Sequence, residues 1–229
     1  MTEASHFTPA LFELLSDLSE NNNRDWFQAN RDRYERDVRE PMIEFIADFA
    51  QRLERISPHM VADPRRSGGS MFRINRDTRF SPDKSPYKTN VGAHFRHEVG
   101  RDVHGPGFYL HLQPGQVFAA AGIWMPDSAT LLKIREAVAA NPVRWESIVN
   151  EDSFASTFTL ESDSLKRAPR GFDPDHPLID TLKLKSFAAT TVFDQEVACS
   201  SRFIDIYADT CRIAEPFSEF LTRAVGLSW

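Results

Sequence analysis

The feature that most limits the fold is a change of hydrophobic period in the middle of the chain. "VGAHFRH" (91–97), "GFYLHLQ" (107–113) and "QVFAAAGIW" (116–124) have the length and patterning of half-buried or buried strands. Pro114-Gly115 supplies a tight turn between the last two, so the three read as an antiparallel meander, and "FAATTVF" (187–193) offers a further strand. On either side the spacing is helical. Thr8 and Pro9 look like an N-cap and a first-turn proline, followed by an apolar stripe of Leu11, Phe12, Leu14, Leu15 and Leu18. "NNN" (21–23) turns the chain into a second helix bearing Trp26, Phe27, Tyr34 and Val38. Pro41 opens a third, with Phe45, Phe49 and Leu53 on its buried face. Residues 57–70 and 163–186 are loop-rich. Pro126 and Asp127 start a helix with Leu131, Leu132, Ile134, Ala137 and Val138 apolar, which Asn141-Pro142 ends; the last helix carries Phe203, Tyr207, Phe217 and Leu221 with a break at Pro216. The expectation is an α+β fold, an antiparallel β-meander sheet packed with N-terminal and C-terminal helices, in a single domain over 1–229.

The 18 Phe residues and a hydrophobic content of 41% suffice for a real core. Net charge is −6 and the isoelectric point is near 5.7, which argues against whole-surface attraction to nucleic acid or anionic lipid. Cys199 and Cys211 fall in what reads as one helical region, about 18 Å apart and beyond disulfide reach. Unbridged cysteines predict a reducing compartment. The N-terminal stretch has no basic segment followed by a long apolar one, and the longest apolar run, Val117 to Met125, is too short for a spanning helix. These observations predict a soluble, cytoplasmic protein with no membrane partner. Nothing in the sequence settles its oligomeric state.

Charge is unevenly distributed. Residues 65–97 contain eight Lys and Arg against Asp77 and Asp83, a net +6 that leaves −12 to the rest of the chain. Within this segment Phe72-Arg73, Arg79-Phe80, Tyr87-Lys88 and Phe95-Arg96 each join an aromatic to a cation. On a strand such a pair sends the ring inward and the charge outward, so Lys84, Lys88 and Arg96 read equally well as solvated side chains. Arg73, Arg76 and Arg79 recur every three residues, and one neighbouring Asp cannot neutralise three guanidinium groups. Either acids from elsewhere dock against them or an anionic ligand does, since guanidinium captures carboxylate and phosphate in bidentate fashion. Asp77, flanked by Arg76, is expected to stay ionised as an orienting counter-ion rather than a general base.

"RINRDTRFSPDKSPYK" (73–88) resembles the signature of the bacterial family called domain of unknown function 2461. The resemblance extends to "NNNRDWFQANRDRYE" (21–35), "GPGFYLHLQPG" (105–115), "AAAGIWMPD" (119–127) and "APRGFDPDHP" (168–177), and so covers nearly the whole chain. It implies that 73–88 is functional and adds no chemistry, because the family has no established activity.

The strand pattern adds a geometric expectation. Phe108, Leu110 and Leu112 belong in the core, so Tyr109 and His111 face away from it, and Ala119 to Gly122 leave space above the sheet. One reading is a pocket floored by Tyr109, His111 and Trp124 and rimmed by arginines; the other is a helix covering this face, with the polar tips merely hydrogen-bonded. His94 and His97 would face opposite ways on a strand and cannot chelate one metal. "DPDH" (173–176) reads as a turn with a helix cap. The sequence contains no G-x-S-x-G elbow and no GK[ST] phosphate loop, and gives no reason to invoke a cofactor or metal. Three functions remain, in this order. The first is a small anionic ligand, phosphorylated or carboxylated, bound by Arg73, Arg76, Asp77, Arg79, Lys84, Tyr87, Lys88, Arg96 and Trp124; with His111 or Tyr109 near enough to move a proton, it becomes an enzyme acting on a phosphoester. The second, close behind, is a structural or protein-docking domain whose arginines form ion pairs. The third is a nucleic-acid module in which Phe72, Phe80 or Tyr87 stack on bases.

Overall fold

Around a six-stranded antiparallel sheet in the order β1-β2-β3-β4-β6-β5, the helices collect on one side and leave part of the other open. The structure is a computed structural model and describes residues 5–79, 81–100 and 105–229. The strands are β1 (Met60–Val61), β2 (Val91–His97), β3 (Gly107–Gln113), β4 (Gln116–Ile123), β5 (Thr159–Leu160) and β6 (Phe187–Phe193). The helices are α1 (Pro9–Glu20), α2 (Arg24–Ala29), α3 (Arg31–Tyr34), α4 (Glu40–Glu54), α5 (Ser128–Ala140), α6 (Pro142–Val149), α7 (Asp152–Thr157), α8 (Ile179–Leu182), α9 (Gln195–Ala198), α10 (Phe203–Ile213) and α11 (Glu215–Ala224). This is the α+β fold that the periodicity predicts, and the four long strands fall where the pattern puts them. Among the described residues no helix is long and apolar enough to cross a membrane.

Register fixes which residues share a face. Phe108 lies opposite Phe95 and Ala121, Leu110 opposite Ala93 and Ala119, and Leu112 opposite Val91 and Val117; all nine are buried. Against this face α4 and α10 bring a run of rings, with Phe49 4.7 Å from Phe95 and 5.0 Å from Tyr207 between centroids. Packed rings of this kind contribute beyond their buried area.

Several local readings need correction. Pro41 does not separate two helices: α3 continues through a π-helical turn, Glu35–Arg39, into α4. Proline offers no N–H to the carbonyl four residues back and crowds it, and a widened turn relieves both. Pro142 begins α6 rather than only ending α5, and α6 buries Trp145. Cys199 and Cys211 do not share a helix, because α9 stops at Ala198 and α10 starts at Phe203; both thiols are free. On α5, Leu132 is exposed and Arg135 is buried. Arg135 falls on the same 131–134–135–138 stripe as the apolar residues, and its Nη2 donates to the Leu184 carbonyl at 2.9 Å.

Gly122 shows how tightly the sheet is packed near the end of β4. Its φ is +101°, and a Cβ there would lie 2.2 Å from the Phe187 carbonyl oxygen. Gly122→Ala is therefore expected to destabilise the fold by about 2 kcal/mol from backbone strain and displacement, lowering the thermal midpoint by about 4–8 °C; an unchanged midpoint by calorimetry would contradict this packing.

Candidate functional site

Since the odd-even alternation of β3 commits Phe108, Leu110 and Leu112 to the core, Gly107, Tyr109 and His111 face the other way. Beside them stand His94 on β2, Phe118 and Ala120 on β4 and Thr190 on β6. These residues line a cavity of about 470 Å³ with Phe72 and Trp124 at its walls. Among the described residues neither a helix nor an arginine contributes to its lining, so the face is open without a helical cover, but the rim of arginines expected around it is not part of this cavity. Trp124 is 61% exposed. The next residue, Met125, has φ of +47°, an uncommon conformation for a side chain of this size, and its N–H donates to Ser186 Oγ at 2.9 Å. That kink turns the chain from β4 toward α5 and leaves Trp124 over the cavity rather than in the core.

Tyr109 and His111, two residues apart on one face, are hydrogen-bonded through Oη and Nδ1 at 2.9 Å. His111 Nε2 lies 3.3 Å from Gln113 Oε1, and Asn90 Nδ2 is 3.4 Å from Nδ1. An amide oxygen can only accept, so Nε2 carries the hydrogen and donates to Gln113; Nδ1 accepts from the Tyr109 hydroxyl. Burial lowers the His111 pKa from its ordinary 6.5, with the Gln113 bond opposing, and burial raises Tyr109 to about 12. At neutral pH the pair is a neutral phenol beside a neutral imidazole. Gly92 makes this geometry possible: a Cβ there would sit 2.5 Å from Tyr109 Oη.

The cation-rich segment is a hairpin rather than a regular strand. Met71 bridges to Ala93 at the edge of β2, and Asn75 bridges to Tyr87. Arg76 N donates to Pro86 O at 2.9 Å and Lys88 N to Ile74 O at 2.8 Å. Asn22 clamps it from the first helical region: its Nδ2 donates to Tyr87 O at 2.9 Å while Tyr87 N donates to its Oδ1 at 3.1 Å. Phe27 stacks on Tyr87 at 4.1 Å. Within "NNN", Asn23 is the helix cap, accepting from Trp26 N, while Asn22 is the anchor of the hairpin.

The hairpin separates the predicted cations. Arg76, Tyr87 and Lys88 line a cavity of about 560 Å³ with Asn22, Asn90 and Tyr109. Arg73 lies on the other side, facing a cavity of about 300 Å³ that also includes Arg31, Arg39 and Arg66. Arg79 makes a two-point contact with Asp77 at 3.0 and 2.7 Å, and this holds the exposed Asp77 carboxyl down to about 2. Asp77 is thus the counter-ion of Arg79, not of Arg76. Arg76 instead pairs with Asp83, whose pKa of about 2 owes first to hydrogen bonds from Ser85 and then to Arg76. Lys84 Nζ donates to the Thr78 carbonyl at 2.9 Å. Arg96 sits opposite Val61 at the far end of β2 and lines neither main cavity. Phe80 lies outside the described residues.

Lys88 is distinct among these cations. Its Nζ is 5.1 Å from the Phe72 ring centroid, and burial together with Arg73 lowers its pKa. No carboxylate among the described residues forms an ion pair with it. The 560 Å³ and 470 Å³ cavities adjoin, since Phe72 and Tyr109 line both. Sequence reasoning missed Glu161, which reaches the second cavity from beyond β5; in a loop of unremarkable composition it carried no signal. Elsewhere, His97 is buried and bonds to the Ser228 carbonyl at 3.0 Å while His94 faces the cavity. In "DPDH", Asp173 accepts from Asp175 N and His176 Nδ1 from Leu178 N; this is the expected turn, but not the expected helix cap, since α8 starts after Leu178 with no side-chain cap.

The His111 arrangement predicts a neutral imidazole with hydrogen on Nε2 and a midpoint below 6.5. Folding then favours the unprotonated ring, so any stability linked to it is present above pH 6.5 and declines as pH falls below that value. Nitrogen-detected NMR of the ring checks this, and an Nδ1–H tautomer or a midpoint above 6.5 would contradict it.

No curated protein matches the sequence. A family model does: that of the conserved hypothetical proteins designated DUF2461, over residues 10–220. The chain belongs to that family.

Proposed function

We propose that the protein binds a small phosphorylated or carboxylated ligand, with the anionic group held between Arg76 and Lys88. The observation that carries this reading is the half-buried Lys88 ammonium. It shares a cavity wall with Arg76, is further destabilised by Arg73, and has an aromatic face rather than a carboxylate as its partner. Burying an ammonium without a counter-ion is costly, and a bound anion removes that cost. Stability alone does not account for Arg76 either, because a partly exposed pair such as Arg76–Asp83 contributes only about 0–1 kcal/mol. Asn22 and Asn90 supply further donors at the same cavity.

Tyr109 borders the anion cavity and leads to His111. Through this pair a proton leaving a bound group passes to the Tyr109 oxygen as the phenolic proton moves to Nδ1. This supports an enzyme acting on a phosphorylated small molecule, with Tyr109 and His111 as its acid-base pair. Two free cysteines support a reducing, cytoplasmic setting. A second reading, in which the arginines serve structure or docking, is favoured by Arg79–Asp77 and by Arg66, which pairs with both Glu35 and Glu40. It covers those residues better than Arg76 and Lys88.

The test is thermal shift with inorganic phosphate and small carboxylates. An anion at a hundred times its dissociation constant adds about 2.7 kcal/mol and raises the midpoint by about 5–10 °C. Arg76→Ala and Lys88→Ala should each fold normally and weaken the anion by about tenfold or more, while Arg79→Ala leaves binding unchanged. No shift with any anion, together with a large loss of stability in Arg76→Ala, would favour the structural reading.

A further inference from the structure

On the far side of the hairpin from Lys88 lies the cavity of about 300 Å³ faced by Arg73. Its opposite wall is α3 with the π-helical turn that follows. Arg31, Tyr34 and Glu35 are three and four residues apart, so they share one side of this helical stretch, and all three line the cavity. Glu35 is the one carboxylate among the described lining residues, and both its oxygens are taken. Oε1 accepts from Arg39 at 2.7 Å and Oε2 from Arg66 at 3.1 Å, while Arg66 also pairs with Glu40. Arg31, one turn before Glu35, is left with no ion pair among the described residues. Arg73 is in a similar position: Asp77 feels its charge, but that carboxylate is bonded to Arg79. Four guanidinium groups thus border one small cavity whose single carboxylate is already committed.

Charge alone describes an ordinary solvated surface; Tyr34 turns it into a site. This residue is 4% exposed, its ring lies 5.3 Å from Phe27, and its hydroxyl makes no hydrogen bond among the described residues. A buried hydroxyl ordinarily has a partner. Burial pushes its pKa up to about 12, with Arg39 opposing and Glu35 adding, so the phenol keeps its proton and stands as an unused donor. The two charges that act on it both line the cavity, which places the hydroxyl at the cavity wall. We infer that this cavity is a second anion site, for a phosphoryl dianion held by Arg31, Arg73 and the Tyr34 hydroxyl. The donors come from two elements, α3 and the hairpin, an arrangement that suits a tetrahedral oxyanion better than a planar carboxylate, and guanidinium takes phosphate oxygens in pairs. Behind them Phe27, Met71 and Ile74 form an apolar wall, and a concave site with such walls concentrates the field of its cations. The site does not depend on the Arg76–Lys88 site, since Phe72 and Tyr87 line both cavities and form the partition between them.

NMR of the arginine and lysine side chains during titration with inorganic phosphate follows the two sites separately, in the wild type and in Lys88→Ala. In both proteins the Arg31 and Arg73 Nε signals should shift together and saturate. Tyr34→Phe, which keeps the packed ring, and Arg31→Ala, at an exposed position of α3, should each weaken that response by about tenfold or more. Acetate should bind there more weakly than phosphate. Loss of the Arg31 and Arg73 response in Lys88→Ala would mean that one site serves both walls and would overturn the inference. So would an undiminished response in Tyr34→Phe, equal affinity for acetate and phosphate, or no response at Arg31 and Arg73 in the wild type. A saturable response at Arg31 and Arg73 with none at Lys88 would remove the first anion site and leave this one standing.

Discussion

The alternation along β3 is the constraint on which the rest of the structure depends. Once Phe108, Leu110 and Leu112 are buried against β2, β4 and the helices, a period of two leaves Gly107, Tyr109 and His111 no choice but the opposite face. A one-residue slip would place a tyrosine and a histidine in the core and expose three apolar side chains, so the register is strongly specified. The strands on either side then contribute what their own alternation allows, small residues from β4 and a glycine from β2. Gly92 has a particular role here, since its missing side chain lets the Tyr109 ring lean over β2 and reach His111.

Electrostatics explains the second half of the arrangement. An acidic chain concentrates positive charge in one hairpin, and its conformation sorts that charge instead of presenting it as a patch. Arg65, Arg66, Arg76 and Arg79 each find an acid, and Lys84 finds a carbonyl. This sorting weakens the case for a phosphate-tracking nucleic-acid surface, which needs several unneutralised cations in line. Among the described residues, what survives at the anion cavity is the half-buried Lys88 ammonium with Arg76 beside it, while Arg73 faces the other cavity. Asn22 and Phe27 hold the hairpin by the backbone and ring of Tyr87, so the geometry of the anion cavity is tied to the first helical region rather than to the sheet alone.

Much of this was legible in the sequence wherever a physical pattern repeats over several residues. The four long strands follow from alternation and turn chemistry, α1 and α4 from apolar stripes, and the break before α11 from Pro216. Tyr109, His111 and Trp124 on one cavity follow from the same alternation. The two-residue strands β1 and β5 are too short to carry a period, and the π-helical turn before Pro41 reflects a local steric conflict that a stripe does not register. Burial of Arg135 was hidden because a charged residue occupied an apolar position on the helical stripe. The three-residue spacing of Arg73, Arg76 and Arg79 suggested convergence, yet it crosses a hairpin whose strand and loop geometry sends the three apart. Asn22 and Glu161 could not be placed without knowing which distant segment each would meet.

The most direct measurement is side-chain NMR of the Lys and Arg signals during titration with phosphate. The account predicts that Lys88 Nζ and Arg76 Nε shift together and saturably, that Lys88 gains protection from exchange, and that Lys84 and Arg79 remain still. Saturable shifts centred on Arg79 and Lys84, or no response at Lys88, would contradict the claim that the half-buried ammonium is an anion site.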